Sequence, residues 1–475
     1  MNRFFSYLRW LAALGVMPLT LANAALPAPI EASLRTAGVP ANSVAIYVRE
    51  IGQTRAIIDH RATTPMNPAS TMKVVTTVVG LDLLTPRYTW KTDFLTNARA
   101  ENGVLRGPLY IRGSGDPRFT WEHLQAAVRA LRQRGITEIS GDVLVDRSRF
   151  APVKDDPGGF DGQPLRPYNV VPDALLYNFK AVGFKFAPMP DKTVAISIEG
   201  PLPNGLTVHN TLRVAGGTCG DWKAALAPIF ESHGNRASAT FAGSYMADCG
   251  EREWYVSLFD HMGLLEGSFA RLWRDAGGTW RGTMKEGTLP KGARVLYTHE
   301  SAPLSSMVND INKFSNNVMA RQLLLTIDAE MTKSPARASR GGQSIRSWAT
   351  TRGFAVPDLI VENGSGLSRA ERISTKSLAS FLEYGITAPF AKDFLQSLPI
   401  AATDGTLSKR FNSTAAERNA FLKTGTLTGV KALAGYLRLP NDKAMLFVAI
   451  INHPNAEIGT RALDSAVDWV FQNVR

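Results

Sequence analysis

Residues that usually build metal centres are scarce in this sequence. Its 475 residues include two cysteines and seven histidines, and no cluster of histidines accompanies the cysteines. We therefore expect no metal site. Cys219 and Cys249 fit an oxidising compartment, and we interpret them as one structural disulfide.

Long apolar segments are also missing after residue 25, so we expect an exported protein with no membrane-spanning helix. Residues 1–24 are typical of a secretory signal peptide: a basic start precedes an apolar run over residues 10–21 and the small-residue pattern Ala22-Asn23-Ala24. An uncleaved membrane anchor is the alternative, although the run is too short to span a bilayer. Cleavage after Ala24 predicts a periplasmic protein and leaves 451 of the 475 residues, enough for roughly two or three domains.

Positive charge is in moderate excess. Lys and Arg number 53 against 41 Asp and Glu, a formal net charge of +12. The basic residues are scattered and form no long run, so we expect no nucleic-acid partner. The surplus favours polyanions or carboxylate-rich substrates, and it is compatible with peripheral association with the membrane or the cell wall. The oligomeric state stays open.

Helix and strand patterns alternate along the mature chain. An apolar segment of helical length, Thr71–Leu84, directly follows Ser70. From about residue 88 to 297, short β-rich pieces alternate with turn signals. Two candidate helices then meet at Phe314-Ser315, and the chain ends in a strand hairpin and a helix over residues 458–474. The order indicates a β-rich region enclosed by helical segments.

The first motif with chemical potential is Ser-x-x-Lys at Ser70 and Lys73. Residues three apart on a helix are neighbours, so the hydroxyl and the amine point to the same side. A serine needs a base to become a nucleophile, and a lysine whose charge is disfavoured by burial and a nearby cation can be that base. For the isolated motif the alternative is a lysine that extends from an apolar face into solvent.

A second motif, Ser315-Asn316-Asn317, lies where the two candidate helices meet. The hydroxyl of Ser315 can shuttle a proton to a leaving amine, and the amide of Asn317 can bind both the lysine and a substrate carbonyl. The alternative is that Ser315 only caps a helix.

The third motif, Lys423-Thr424-Gly425, opens a strand. Lys423 suits a substrate carboxylate, and Gly425 leaves room for a peptide along the strand edge. The N–H groups of Thr426 and Ser70 can form an oxyanion hole. The alternative is an ordinary turn that leads into a hairpin.

Together and in this order, the three motifs resemble those of the penicillin-binding proteins and serine β-lactamases. The gap between Ser70 and Ser315 narrows the resemblance to the low-molecular-mass class C penicillin-binding proteins, the D-alanyl-D-alanine carboxypeptidase/endopeptidase family of peptidase S13 type. Asn316 and Glu362 depart from this pattern, where aspartate is common. The flanking segments agree with it: 67–73, 110–117, 141–146, 362–369, 404–407 and 421–435.

The resemblance implies an α+β fold of the serine β-lactamase/transpeptidase type, an antiparallel sheet flanked by helices, with a large β-rich insertion. The catalytic domain would comprise residues 25–87 and 295–475, and residues 88–294 would form the insertion, in one or two nested subdomains. Ser70, Lys73 and Ser315 would be catalytic. The implied substrate-binding residues are Asn317, Lys423, Thr424 and Thr426.

The implied activity is serine D-alanyl-D-alanine carboxypeptidase or endopeptidase cleavage of peptidoglycan stem peptides through an acyl-enzyme on Ser70. No cofactor is expected, and β-lactam antibiotics should acylate the same serine. A serine β-lactamase is the first rival, although class A chains have a far smaller gap between the first two motifs. The second rival is a non-catalytic peptidoglycan-binding or sensor module that uses the same cleft.

Overall fold

The computed structural model describes residues 26–153, 156–440 and 443–474. The predicted signal peptide and its cleavage site lie outside the described residues. Within these ranges the structure is a mixed α+β fold, as the sequence predicts.

A five-stranded antiparallel sheet, here called the main sheet, combines strands from residues 44–60 with strands from residues 420–452. Its central strands are buried on both faces because helices cover each side, which explains their nearly continuous apolar sequences. The strand Ala420–Leu427, here called the edge strand, lies at one border of the sheet. In spatial order the strands are Ala56–His60, Val44–Glu50, Ala444–Asn452, Val430–Arg438 and Ala420–Leu427.

Two helices cover one outer face of the main sheet, and a group of helices covers the other. Ala28–Thr36 and Thr460–Asn473 pack on the first face, with Ile30, Leu463 and Val467 in the shared core. The other face carries Met72–Leu84, here called the Ser70 helix. The Ser70 helix is buried around most of its circumference, as its apolar sequence predicts. Its helical neighbours are Leu304–Lys313, Asn317–Thr332, Ala338–Thr351, Thr375–Thr387 and Ala391–Ser397.

The region between residues 91 and 300 has a hydrophobic core of its own. The strands at its two ends, Lys91–Thr96 and Arg294–Glu300, pair with each other in a second five-stranded sheet. In spatial order this sheet contains Met284–Glu286, Val143–Asp146, Leu109–Gly113, Lys91–Thr96 and Arg294–Glu300. The helices Trp121–Gln133 and His261–Asp275 pack into the same core.

Smaller sheets complete this region. A four-stranded sheet contains Thr279–Trp280, Glu138–Ile139, Val104–Leu105 and Ala100–Glu101. Two three-stranded sheets contain Val194–Ile198, Val182–Pro188 and Arg252–Val256, and Leu206–Asn210, Arg236–Phe241 and Pro228–His233. Arg213–Ala215 pairs with Ser244–Met246 beside the short helix Trp222–Ala225. Cys219 and Cys249 are joined by a disulfide here.

Candidate active site

Ser70 lies in a strained turn that leads into the Ser70 helix. The turn is the 3-10 segment Ala69–Thr71, and Ala69 has a φ of 46°, a conformation that costs an L-residue roughly 1–2 kcal/mol. The side chain of Asn67 holds the turn: its Oδ1 accepts from the Ala69 N–H at 2.9 Å, and its Nδ2 donates to the Ser368 carbonyl at 2.8 Å. Such strain persists because the surrounding hydrogen bonds fix the backbone, and it is common at active sites.

Lys73 follows one helical turn later and has no solvent exposure. Its Nζ lies 3.0 Å from the Ser70 Oγ and 2.6 Å from the Asn317 Oδ1, and it also donates to the Ser365 carbonyl. Asn317 and Ser365 offer only acceptor oxygens in these contacts, whereas the Ser70 hydroxyl can also donate. A neutral amine therefore has both N–H groups paired and directs its lone pair at the Ser70 hydroxyl.

The electrostatic surroundings of Lys73 favour this neutral form. Burial lowers the pKa of the amine well below its usual range, and the nearby positive charge of Lys423 lowers it further. No carboxylate is hydrogen-bonded to Nζ among the described residues. This arrangement can supply a general base at neutral pH.

Ser315 occupies the tight connection between two helices. The first helix ends at Lys313, and Ser315 has a φ of 56°, in the left-handed region. The interpretation of Ser315 as a helix cap is wrong: Asn316 caps the next helix, because its side chain accepts from the Met319 N–H at 3.1 Å. The Ser315 hydroxyl is thus released from the backbone, and it accepts from the Lys423 Nζ at 2.9 Å.

Lys423 lies on the edge strand and, like Lys73, is fully buried. Burial lowers its pKa to about 7. Its Nζ contacts the Ser315 hydroxyl and the Thr424 carbonyl at 2.8 Å, both neutral acceptors. A bound carboxylate would supply the missing negative charge and would restore the ammonium form.

The edge strand lies against the Ser70 turn at Gly425. A Cβ at this position would be 2.7 Å from the Pro68 carbonyl oxygen and 3.2 Å from the Ala69 Cβ, so glycine is required by close approach. Thr424 and Thr426 share one face of the strand, and the Thr424 hydroxyl donates to that of Thr406 at 2.8 Å. Thr426 is exposed, and its hydroxyl accepts from the Lys431 Nζ at 3.3 Å.

The structure therefore places the predicted residues in two hydrogen-bonded groups: Lys73 with Ser70 and Asn317, and Lys423 with Ser315. The two groups are near enough for the charge of Lys423 to lower the pKa of Lys73. Thr424 and Thr426 extend this site along the edge strand. Cys219 and Cys249 lie in the separate core of residues 91–300.

Sequence reasoning missed the contribution of residues 362–368, here called the glycine loop. Its Ser365 carbonyl accepts from Lys73, and its Gly364 carbonyl accepts from the Thr76 hydroxyl at 2.7 Å. Gly364 and Gly366 have φ values of 72° and 82°. Two glycines with one residue between them were a signal for an unusual backbone, but their contact with Lys73 depends on the fold.

Within the described part of the chain, no helix is both long and apolar enough to cross a lipid bilayer. In the same residues, no three His, Cys, Asp or Glu side chains are arranged to hold a metal ion.

Comparison with known proteins defines the class. The sequence profile of the D-Ala-D-Ala carboxypeptidase 3 (S13) family matches residues 26–473, and the chain belongs to this family. It is 27% identical over 445 residues to the D-alanyl-D-alanine carboxypeptidase DacB of Haemophilus influenzae, with 90% of this chain and 88% of that protein covered. The predicted family and the carboxypeptidase class are confirmed.

Solved structures show the same fold. Penicillin binding protein 4 (dacB) from Haemophilus influenzae superposes with a TM-score of 0.76 at 24% identity, over 92% of this chain and 99% of that one. A penicillin G-acylated predatory endopeptidase from Bdellovibrio bacteriovorus superposes with a TM-score of 0.50 at 16% identity, over 90% and 93% of the two chains.

Proposed function

We propose that this chain is a serine D-alanyl-D-alanine carboxypeptidase/endopeptidase that acts on peptidoglycan stem peptides through an acyl-enzyme on Ser70. The observation on which the proposal depends is the pairing of the Ser70 hydroxyl with a buried amine whose other hydrogen-bond partners are acceptors. Family membership supports the reaction class.

Acylation would proceed through a tetrahedral intermediate, with one proton transfer as it forms and a second as it collapses. Ser70 attacks the carbonyl carbon of the penultimate D-alanine while the Lys73 lone pair takes the hydroxyl proton. The oxyanion that forms accepts from the N–H groups of Ser70 and Thr426. The C–N bond then breaks, and the proton that Lys73 took would pass by way of the Ser315 hydroxyl to the departing amine, which restores the neutral Lys73. Water then hydrolyses the ester and regenerates the serine.

Substrate recognition would involve the edge strand. The carboxylate of the terminal D-alanine binds near Lys423 and Thr424, and the peptide extends along the outer edge of the main sheet. Asn317 binds the substrate amide while it also fixes Lys73. Cleavage of the terminal residue is carboxypeptidase activity, and cleavage of a cross-link between stem peptides is endopeptidase activity.

Residues 25–87 and 295–475 would form the catalytic domain around the main sheet, and residues 88–294 an insertion with its own core. The separate clusters of buried residues support this division. Because Arg294–Glu300 pairs with Lys91–Thr96 and Leu296 packs in the core of the insertion, we put the second boundary nearer residue 300. The place of action would be the periplasm after removal of residues 1–24. β-Lactams would acylate Ser70, in line with the acylated Bdellovibrio relative.

The direct test is release of D-alanine from a synthetic stem pentapeptide, with Ser70→Ala as the control. We expect release by the wild-type enzyme and none by the variant. Steady nitrocefin turnover without D-alanine release would instead identify a β-lactamase. A folded protein that binds the peptide without cleaving it would identify a non-catalytic module and refute the proposal.

A further inference from the structure

Glu371 is a carboxylate with no solvent exposure behind the glycine loop. Its Oε1 accepts from three successive backbone N–H groups, those of Glu362 at 3.2 Å, Asn363 at 3.0 Å and Gly364 at 2.9 Å. Its Oε2 is buried and has no hydrogen-bond partner among the described residues. Three N–H groups that converge on one oxygen favour a negative charge at that oxygen.

The backbone that Glu371 holds continues directly into the reacting groups. After Gly364, the Ser365 carbonyl accepts from the Lys73 Nζ. A Cβ on Gly366 would be 1.9 Å from the Ala69 carbonyl oxygen, so the loop lies directly against the Ser70 turn. The Ser368 carbonyl accepts from Asn67, which holds the same turn. A shift of the glycine loop would therefore move Ser70 and one hydrogen-bond partner of Lys73 together.

Glu371 also acts on Lys73 through space. Among the described residues, three charged groups act on the Lys73 amine: Lys423 from the edge strand, Glu371 from behind the glycine loop, and Arg321 from the helix Asn317–Thr332. The two cations and burial lower the pKa of Lys73, and Glu371 opposes them by favouring the ammonium form. Burial has the largest effect on Glu371 itself and raises its pKa, whereas its three N–H donors and then the positive charge of Lys73 oppose burial and favour the ionised form.

We propose that Glu371 is a positioning residue for the acylation of Ser70: its carboxylate fixes the glycine loop, and its negative charge governs how readily the Lys73 amine takes a proton. This inference rests on the proposed function, in which Lys73 is the general base. It assigns a role to a residue outside the three motifs, and Glu371 touches neither Ser70 nor the substrate.

Substitutions can separate the effect of the charge of Glu371 from the effect of its side-chain length. Glu371→Gln keeps the length and the Oε1 acceptor but removes the charge. Glu371→Asp keeps the charge but is too short to reach all three N–H groups. Asp328→Asn is a matched control, because Asp328 is another fully buried carboxylate and pairs with Arg340, away from the site.

The experiment is the pH profile of the second-order rate constant for acylation by a fluorescent penicillin, measured for the folded protein at each pH. Removing the negative charge lowers the pKa of Lys73, so the free amine persists to lower pH. We expect the acid limb of the pH profile of Glu371→Gln to lie about one pH unit lower than that of wild type. We expect Glu371→Asp to keep the wild-type limb, with a plateau at least about tenfold lower.

The inference would be overturned if the acid limb of the pH profile of Glu371→Gln lay at the wild-type pH, or if the plateau of Glu371→Asp equalled that of wild type. It would also be overturned if the acid limb of Asp328→Asn shifted as far as that of Glu371→Gln. The last result would mean that any loss of a buried carboxylate alters the profile. Failure of the proposed function looks different. A non-catalytic protein would show no acylation at any pH, and a β-lactamase would turn over penicillin without releasing D-alanine from the pentapeptide.

Discussion

Gly366 offers the sharpest structural test of how the Ser70 turn is held. Its φ is 82°, and a Cβ at this position would be 1.9 Å from the Ala69 carbonyl oxygen and 2.6 Å from the Ser70 nitrogen. Since ordinary contacts begin at about 3.5 Å, Gly366→Ala must separate two backbones by about 1.5 Å. Left-handed strain and overpacking together should destabilise the fold by about 2–4 kcal/mol.

The larger effect should be on activity, because a displacement of about 1 Å at reacting groups costs about 100-fold in rate. We expect folded Gly366→Ala to acylate with penicillin about 100-fold more slowly than wild type. Gly353→Ala is the matched control, since Gly353 has a φ of 78° and a Cβ there would have nothing within 4 Å. It should lose about 1 kcal/mol of stability and keep its acylation rate. Equal acylation rates in the two variants would show that the close contact at Gly366 does not hold the Ser70 turn.

Two further predictions concern charge and cross-linking. Because burial places the pKa of Lys423 near 7, the ammonium is lost as pH rises through that value, so the affinity for a carboxylate-bearing penicillin should weaken above about pH 7. Lys423→Met should bind weakly, without this pH dependence; an unchanged profile in stopped-flow binding would contradict the assignment. Replacing Cys219 and Cys249 by serine opens a loop with a sequence separation of 30, which should lower the free energy of unfolding by about 3–4 kcal/mol in denaturant titration. Acylation by the folded variant should be unchanged, and a loss of acylation would show that the disulfide supports the site.

The parts of the site that were predictable depend on local geometry. Ser70 and Lys73 are one helical turn apart, so their contact follows from helix periodicity alone. Lys423 and Gly425 lie on the strand that the third motif was predicted to open, ahead of a hairpin of two strands that was visible in the sequence. The order of the three motifs then indicated the family, which the profile match confirms.

The parts that were not predictable depend on long-range packing. The cap of the helix Asn317–Thr332 is Asn316, and this choice follows from the left-handed backbone at Ser315, which no local propensity indicates. Glu371 looks like an ordinary surface residue in the sequence, and only the folded glycine loop makes it a buried acceptor. The small sheets of residues 91–300 include parallel pairs between distant strands, such as Leu206–Asn210 with Arg236–Phe241, whose register is set by tertiary contacts.

The proposed mechanism depends above all on a neutral Lys73 amine that activates the Ser70 hydroxyl. Peptide mapping by mass spectrometry after incubation with penicillin probes this step in wild type, Ser70→Ala and Lys73→Met. We expect one penicilloyl group on Ser70 in wild type, none in Ser70→Ala, and acylation slower by about 100-fold or more in Lys73→Met. A label on any other residue, or acylation of Lys73→Met at the wild-type rate, would rule the mechanism out.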